Sequence, residues 1–165
     1  MASGVSVANS VDAAFNEMKL RENMTTEEIK KRKKAIMLRL AADQRSIIVD
    51  EGKEILVGDC DEIDDVYKHV IDMLPKDDCR FCLYNASFEA KELKRESLIF
   101  IFWNPNSAPS KNKMIYGISR ETVKRKLTGI HFEIVANKLE DISDRRNIAE
   151  KLGGSAVISM EGKPL

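Results

Sequence analysis

The sequence predicts an α+β fold, an α/β-type sandwich with a central mixed sheet of about five to six strands and helices on both faces. Leu98–Trp103 is an unbroken apolar run, which is typical of a central strand covered on both faces. Segments with strand-like alternation and segments with helical spacing follow one another at short intervals, as in one compact domain. The 165-residue chain is 43% hydrophobic and 33% charged, a balance that excludes wholesale disorder.

The first half of the chain predicts two helices followed by two strands. Asn9 and Ser10 are favourable helix caps ahead of apolar residues with helical spacing. Thr25 and Glu28 have the spacing of a capping box and predict a second, short helix. The strands that follow are predicted at Ala35–Leu40 and Ser46–Val57, with a turn or bulge at Glu51 and Gly52.

The second half predicts strands and helices in alternation. Asp64 and Asp65 favour the start of a helix that Pro75 ends. Gly153 and Gly154 are expected to stop a later helix, predicted over Ile142–Leu152. The predicted strands are Cys79–Phe88, Leu98–Trp103, Ile130–Val135 and Ala156–Met160.

A basic helix is predicted over Lys111–Leu127, and its apolar face changes midway. Its early apolar residues are Met114, Ile115 and Ile118, and its later ones, Val123 and Leu127, lie nearly opposite. Because an unbroken helix would expose one of these groups, we predict a break near Ser119, whose side chain could cap the segment that follows.

The thiols and histidines give no positive support to an enzyme, and no cofactor or metal is predicted. Cys79 and Cys82 have CxxC spacing, but residues three apart on a strand point to opposite faces, so their sulfurs should not meet. A thiol oxidoreductase stays an alternative that requires an accessible thiol of low pKa. His69 and His131 are expected to face water. Few cysteines and no secretion signal predict a cytosolic setting.

The placement of cations is more informative than the total charge. The 27 basic and 27 acidic side chains cancel, which argues against unspecific nucleic-acid binding. One run of cations consists of Lys30, Lys31, Arg32, Lys33 and Lys34, and it predicts either a nuclear-import tag or polyanion patch, or a solvated loop. In the basic helix, Met114 and Ile115 lie among lysines. Apolar side chains beside lysines can anchor a protein interface while the charges steer an acidic partner.

A series of short motifs occurs in a fixed order along nearly the whole chain. They are Met1–Val5, Glu27–Ala35, Glu51–Asp59, Met73–Pro75, Ile99–Trp103, Lys113–Tyr116, Ala149–Ser159 and Glu161–Leu165. In their order and spacing these motifs resemble the actin-depolymerising factor/cofilin family, and vertebrate-type cofilin in particular. The resemblance implies one actin-depolymerising-factor homology domain over residues 1–165, with a mobile N-terminal arm at residues 1–6.

The resemblance implies a protein that binds actin monomers and filaments, prefers ADP-bound actin, and severs and depolymerises filaments without catalysing a reaction. The implied contacts to both monomers and filaments are Ser3, Gly4, Val5, Lys111, Lys113, Met114, Ile115 and Ser119. The implied filament-side contacts are Lys94, Arg95 and Glu133. The implied location is the cytoplasm and cytoskeleton, and also the nucleus through Lys30–Lys34.

The resemblance also implies two kinds of regulation. Ser3 matches a regulatory phosphoserine, which implies a kinase and a phosphatase as partners, and the added phosphate charge should weaken binding to acidic actin. Phosphoinositide headgroups should compete with actin for the same cations. The implied headgroup-binding residues are Lys94, Arg95, Lys111, Lys113, Arg125 and Lys126.

Several positions depart from the vertebrate pattern, and two of them lie next to implied filament-side contacts in the sequence. Ser97 replaces an acidic residue after Lys94-Arg95-Glu96, and Phe132 replaces the histidine that precedes Glu133. In the family, a proposed pH response couples that histidine to an acidic residue. These departures support an alternative function, a homology-domain module that binds actin filaments or another acidic partner without severing.

Overall fold

The structure, a computed structural model, describes residues 5–19 and 22–165. Within these residues the chain forms an eight-stranded mixed sheet with helices, which confirms the predicted fold class. The strands are β1 (Ser6–Val7), β2 (Lys33–Leu40), β3 (Ser46–Leu56), β4 (Arg80–Ala90), β5 (Leu93–Trp103), β6 (Phe132–Ala136), β7 (Val157–Met160) and β8 (Lys163–Pro164). The α-helices are α1 (Asn9–Asn16), α2 (Thr26–Lys30), α3 (Val66–Asp72), α4 (Ser110–Lys126) and α5 (Arg145–Gly153). None of these helices is long and apolar enough to cross a bilayer.

The strand order of the sheet is β1-β3-β2-β4-β5-β6, and β7 pairs with both β4 and β8. The β1–β3 and β5–β6 pairs are parallel, and the other pairs are antiparallel. Parallel neighbours need a long crossover connection, and between β5 and β6 that crossover contains α4. The topology therefore places α4 on one face of the sheet, beside the central strands.

Two apolar cores lie on the two faces of the sheet. β4 and β5 contribute to both, because alternate side chains of a strand point to opposite faces. One core contains Phe81 and Phe100 and is covered by α1 and α4. The other contains Tyr84 and Ile101 and is covered by α3 and α5. This arrangement explains why Leu98–Trp103 is apolar without interruption, as predicted for a strand covered on both faces.

The helix α4 is unbroken, so the predicted break near Ser119 is wrong. Ser119 is buried, and its hydroxyl donates to the carbonyl oxygen of Ile115 at 2.6 Å, so it caps no second helix. The prediction assumed that the core must cover both apolar groups of the helix. Instead, Met114 and Ile118 remain 61% and 48% exposed.

The N-terminal elements differ from prediction in two details. The helix α1 begins after Ala8, whose backbone is extended, so Asn9 and Ser10 lie inside the first turn rather than at the cap. Ser6 was predicted to belong to the mobile arm, but it lies in β1 and pairs with Ser46. The backbone of β3 offers a free edge at this point, and Ser6 extends the sheet along it.

Two local predictions about turns and caps are confirmed. The Thr25 hydroxyl accepts the backbone N–H of Glu28 at 3.1 Å, and the Glu28 carboxylate accepts the Thr25 N–H at 3.3 Å, which completes the capping box. Gly52 has a φ of +82° and lies in an irregular stretch of β3, where the register with β2 shifts between Ile36 and Leu38. Glycine suits that position because it adopts positive φ without steric cost.

Candidate protein-binding surfaces

The exposed stripe of α4 is the first candidate surface. Lys111, Met114 and Ile118 recur at intervals of three and four residues, so they share one side of the helix. All three are exposed, and we call them the helix surface. Lys113 lies at its margin, half-buried, with its ammonium donating to Asn106 Oδ1 at 3.3 Å. Two neighbouring apolar side chains left uncovered beside lysines are a feature of protein interfaces.

The opposite side of α4 fixes the helix on the sheet. The Tyr116 hydroxyl accepts the backbone N–H of Leu40 at 2.7 Å, and burial raises the pKa of Tyr116 to about 12. Ile115 and Ser119, which the resemblance implied as contacts, are buried on this side and cannot reach a partner directly. Their position makes them supports of the helix. Ile118 was missed by the resemblance, although its spacing of four residues from Met114 was a usable signal.

The N-terminal segment enters the fold next to α4. Val5 is half-buried and packs against the core that α1 and α4 cover, and the strand β1 that follows it contacts α4. Ser3 and Gly4 lie outside the described residues. Of the three implied N-terminal contacts, the structure therefore describes Val5, which packs against the core beneath α4.

The end of the β4–β5 hairpin is the second candidate surface. Lys91 and Glu92 form its two-residue turn with φ of +51° and +66°, the backbone of a type I′ turn. Lys94 and Arg95, which follow the turn after Leu93, are exposed, and we call these two cations the hairpin surface. Both line a cavity of about 620 Å³ together with Ser97, Phe132 and Leu152. Ser97 and Phe132, two of the departures from the vertebrate pattern, therefore lie beside the implied filament-side cations.

Glu133 does not belong to the hairpin surface. Its carboxylate accepts hydrogen bonds from the Arg120 guanidinium and from the Lys124 ammonium, so it joins β6 to α4. The hydrogen bonds from Arg120, which outweigh partial burial, lower the pKa of Glu133. The resemblance implied that Glu133 contacts the filament, but Arg120 and Lys124 already neutralise its carboxylate. Sequence alone gave no sign of the pairing, since the partners lie on a different element.

Replacing Glu133 by glutamine should lower the free energy of unfolding at pH 7 by about 1–2 kcal/mol, because two half-buried cations lose a charged acceptor. The folded-state pKa of Glu133 lies below its unfolded value of about 4.3. Its stabilisation is therefore complete above that pH and is lost as the pH falls through the folded-state pKa. Urea unfolding at pH 7 measures the loss of stability in the variant, and urea unfolding at about pH 3 measures how much of that loss disappears in acid.

The matched control is Glu121→Gln, because Glu121 lies 3.6 Å from Lys124 but is mostly exposed, and its change should stay within about 0.5 kcal/mol. A stability loss in Glu133→Gln that was as large in acid as at pH 7 would contradict this role for the ion pair.

The basic run Lys30–Lys34 is largely absorbed into the fold. Arg32 is buried, donates to the carbonyl oxygen of Met18 at 2.9 Å and lies 3.7 Å from the Glu96 carboxylate. Lys33 contacts the Glu54 carboxylate at 2.7 Å, and Lys34 is buried. Only Lys30 and Lys31 of the five are exposed. The solvated loop predicted for this run is therefore wrong, because three of its cations have partners on other elements. The import tag stays a prediction.

The cations implied for phosphoinositide binding do not form one site. Lys111 and Lys126 lie at opposite ends of α4, about 22 Å apart along a helix that rises 1.5 Å per residue. Lys94 and Arg95 lie on the β4–β5 hairpin instead. A headgroup at one of these places would leave the other cations free.

The thiols and histidines lie where the sequence predicted. Cys79 belongs to one core and Cys82 to the other, on opposite faces of the sheet. Burial raises the pKa of Cys79 to about 11 and of Cys82 to about 12, which is the reverse of what an attacking thiolate needs. His69 and His131 are exposed, and His131 Nδ1 accepts the backbone N–H of Leu98 at 2.9 Å. Within residues 5–19 and 22–165, no group of His, Cys, Asp and Glu has the arrangement of a metal site.

A rigid sheet domain that presents an apolar and cationic helix stripe defines a protein-binding module. Comparison with known families and structures agrees with that class. Residues 4–153 match the model of the family described as cofilin/tropomyosin-type actin-binding protein. The chain therefore belongs to this family of actin-binding proteins.

Solved structures of similar proteins share the fold over most of their length. A cofilin from Streptomyces griseoflavus is 26% identical, with a TM-score of 0.70, over 90% of this chain and 97% of that one. Actin depolymerization factor 2 from Plasmodium berghei is 24% identical, with a TM-score of 0.72 and the same coverage. The ADF-like UNC-60A protein of Caenorhabditis elegans is 20% identical, with a TM-score of 0.68, over 93% of this chain and 96% of that one.

Proposed function

We propose that the protein binds both actin monomers and actin filaments through the helix surface, and that it severs and depolymerises filaments. The observation that carries the proposal is the exposure of Met114 and Ile118 beside Lys111 on a helix whose other side is fixed to the core. Such a stripe fits a partner surface that offers an apolar pocket with acidic residues around it. Binding alone performs the function, so the proposal assigns no catalytic residue.

Severing follows from differential binding to two filament states. A protein that binds an altered twist more tightly than the ordinary twist shifts the filament toward the altered state. Boundaries between the two states then become the weak points of the filament. A preference for ADP-bound actin has the same physical form, because it requires only that the surface fit that state better than the ATP-bound one.

A second, filament-only contact is proposed for the hairpin surface. Replacing Lys94 and Arg95 together by alanine should weaken filament binding about tenfold, because charges at the rim of an interface attract the partner. Monomer binding should stay unchanged, because the proposed hairpin contact exists only in the filament. Filament co-sedimentation and a monomer fluorescence titration measure the two affinities separately. Lys91→Ala, at the tip of the same hairpin, is the control. Equal losses on monomers and filaments would mean that the two surfaces are not separate.

Phosphorylation of Ser3 is proposed to switch binding off, through a kinase and a phosphatase that act on it. A phosphate adds nearly two negative charges, which an acidic partner would repel. Ser3→Asp should therefore lower actin affinity about tenfold, while Ser3→Ala should bind as the unmodified protein does. Monomer titration at two salt concentrations is the measurement. Full binding and severing by Ser3→Asp would contradict the charge argument.

Phosphoinositide headgroups are proposed as competitors of actin. Lys111 and Lys113 at the start of α4, Lys94 and Arg95 on the hairpin, and Arg125 and Lys126 at the end of α4 supply the cations. Because these groups are separated in space, we propose several weak headgroup contacts rather than one pocket. Headgroups bound at the start of α4 and at the hairpin would displace actin from the helix surface and from the hairpin surface.

The cytoplasm and the cytoskeleton are the proposed locations, as expected for an actin-binding family. Nuclear import through Lys30–Lys34 is proposed only with local opening of the start of β2, because Arg32 and Lys34 are buried in the folded protein.

A second candidate function is filament binding without severing. It is favoured by one observation, that Ser97 and Phe132 line the same cavity as the hairpin surface and so could alter the filament-side contact. Real-time imaging of single filaments separates the two functions. Shortened filaments support severing, whereas decorated filaments of unchanged length support the alternative.

A further inference from the structure

One edge of β4 has a gap between two partner strands. β5 pairs with β4 along Arg80–Ala90, so β2 and β7 must share the other edge. β2 occupies that edge at Phe81–Tyr84 and β7 occupies it at Phe88–Ala90. Between these two segments, no strand pairs with Ser87 on this edge of β4. The backbone N–H and carbonyl groups that point to this edge therefore need other partners.

Glu161 fills this gap with its carboxylate and its backbone. Its carboxylate accepts the Ser87 N–H at 3.2 Å and the Tyr84 hydroxyl at 2.8 Å, and its own backbone N–H donates to the Ser87 carbonyl oxygen at 2.8 Å. The Lys34 ammonium lies 2.7 Å from the same carboxylate and donates to the Ser87 hydroxyl at 2.8 Å. The gap is therefore closed by a hydrogen-bonded ion pair from the two flanking elements.

The Lys34–Glu161 pair is almost completely buried. The two side chains are 6% and 4% exposed, which makes this pair the most buried ion pair recorded for the described residues. Glu161 has a φ of +52° in the two-residue turn between β7 and β8, where Gly162 follows at +79°. Residues other than glycine and asparagine are uncommon at such a position, so the bonds of the carboxylate account for glutamate there. Removing one partner would leave a buried charge without compensation.

The pair lies directly behind the hairpin surface. In the β4–β5 register, Phe88 pairs with Arg95 and Glu89 with Lys94. The same two residues of β4 pair with β7 on their other side. β6 pairs with β5 only from Ile99 onward, so within the described residues no strand supports the other edge of β5 beside Lys94 and Arg95.

A cavity connects the pair to the two cations. It has a volume of about 780 Å³, and Lys34, Glu161, Lys94 and Arg95 all line it. The strand β7 and its turn are thus the lateral support of the hairpin end, and the Lys34–Glu161 pair attaches that turn to the sheet.

We infer that Lys34 and Glu161 are positioning residues for the hairpin surface: their ion pair holds the end of the hairpin where Lys94 and Arg95 contact the second filament subunit. This inference rests on the proposed filament-side function. Neither Lys34 nor the turn between β7 and β8 would contact the filament. Both would act by holding Lys94 and Arg95 in position. The helix surface belongs to α4, and none of the hydrogen bonds of the pair involves that helix.

The test compares filament and monomer affinity in Glu161→Gln. This variant keeps the side-chain shape but leaves Lys34 without its counter-charge. Filament affinity should fall about threefold to thirtyfold, the range for effects transmitted through packed elements, while monomer affinity stays the same. Replacing both residues, by Lys34→Met with Glu161→Gln, removes the uncompensated charge and should restore much of the filament affinity. If Glu161→Gln does not fold, Lys34→Arg replaces it: this variant keeps the charge but changes the hydrogen-bond geometry of the buried pair, so filament affinity should fall while monomer affinity stays the same.

Glu54→Gln is the matched control, because it removes a partner of Lys33 in the same basic run on the far side of β2. It should leave both affinities unchanged. Equal losses on monomers and filaments in Glu161→Gln would show a merely structural role and overturn the inference, as would unchanged filament affinity. Failure of the unsubstituted protein to bind actin at all would instead overturn the proposed function.

Discussion

Replacing Met114 and Ile118 together by serine is expected to lower the affinity for actin monomers about a hundredfold or more. Buried apolar anchors at the centre of an interface commonly contribute at least about 2 kcal/mol each, and 1.4 kcal/mol corresponds to a factor of ten. Both side chains are exposed in the unbound protein. Their loss should therefore weaken binding without weakening the fold, and thermal unfolding should change little.

The matched control for this double variant is Leu139→Ser. Leu139 is also a large exposed apolar residue, at 54%, but it lies outside α4. A monomer titration and filament co-sedimentation should show normal binding for the control and loss of both activities for the α4 variant. If Leu139→Ser lost as much affinity as the double variant, general surface hydrophobicity rather than the helix surface would be responsible.

The largest effect on stability is expected from Phe81→Ala, which should lower the free energy of unfolding by about 3–5 kcal/mol. Phe81 is fully buried in the core that α1 and α4 cover. Its ring centroid lies 5.4 Å from that of Phe100, 5.1 Å from that of Phe102 and 5.3 Å from that of Tyr116. Removing the ring leaves a cavity at the point where β4, β5 and α4 meet, so the support of the helix surface should weaken as well.

Chemical unfolding at neutral pH measures this loss, and Phe132→Ala provides the comparison. Phe132 is only half-buried and lines an open cavity, so its removal should cost less than half as much. If Phe81→Ala lowered the free energy of unfolding by less than about 1 kcal/mol, the Phe81 ring would not be a main source of stability in this core.

The sequence predicted the sheet well because its signals were local. Leu98–Trp103 is apolar at every position, which is typical of a strand covered on both faces. The capping box at Thr25 and the opposite faces of Cys79 and Cys82 likewise depend on residues within one element. Local spacing is sufficient for features of this kind.

The basic helix was predicted less well, because two of its apolar side chains break the rule that apolar side chains are buried. The change of face in α4 was interpreted as a break near Ser119, on the assumption that both apolar groups pack in the core. The helix is unbroken, and the group containing Met114 and Ile118 is left exposed. A conflict of this kind between pattern and burial is expected at functional sites, which is why the helix surface is the proposed binding surface.

Pairings between distant residues could not be predicted from spacing. Lys34 and Glu161 come from nearly opposite ends of the chain, and Glu133 meets Arg120 only because α4 crosses back over the sheet. The basic run looked like one feature in the sequence, but the fold gives its cations separate partners. Long-range register decides such contacts, and a single sequence does not contain it.

The most direct test of the central claim is a pair of binding measurements on the unsubstituted protein and on the Met114→Ser, Ile118→Ser variant. Purified protein is titrated against labelled actin monomers and is sedimented with preformed filaments at increasing concentration. The account predicts saturable binding to both forms of actin and loss of both in the variant. Absence of binding to either form by the unsubstituted protein, or equal binding by the variant, would contradict it.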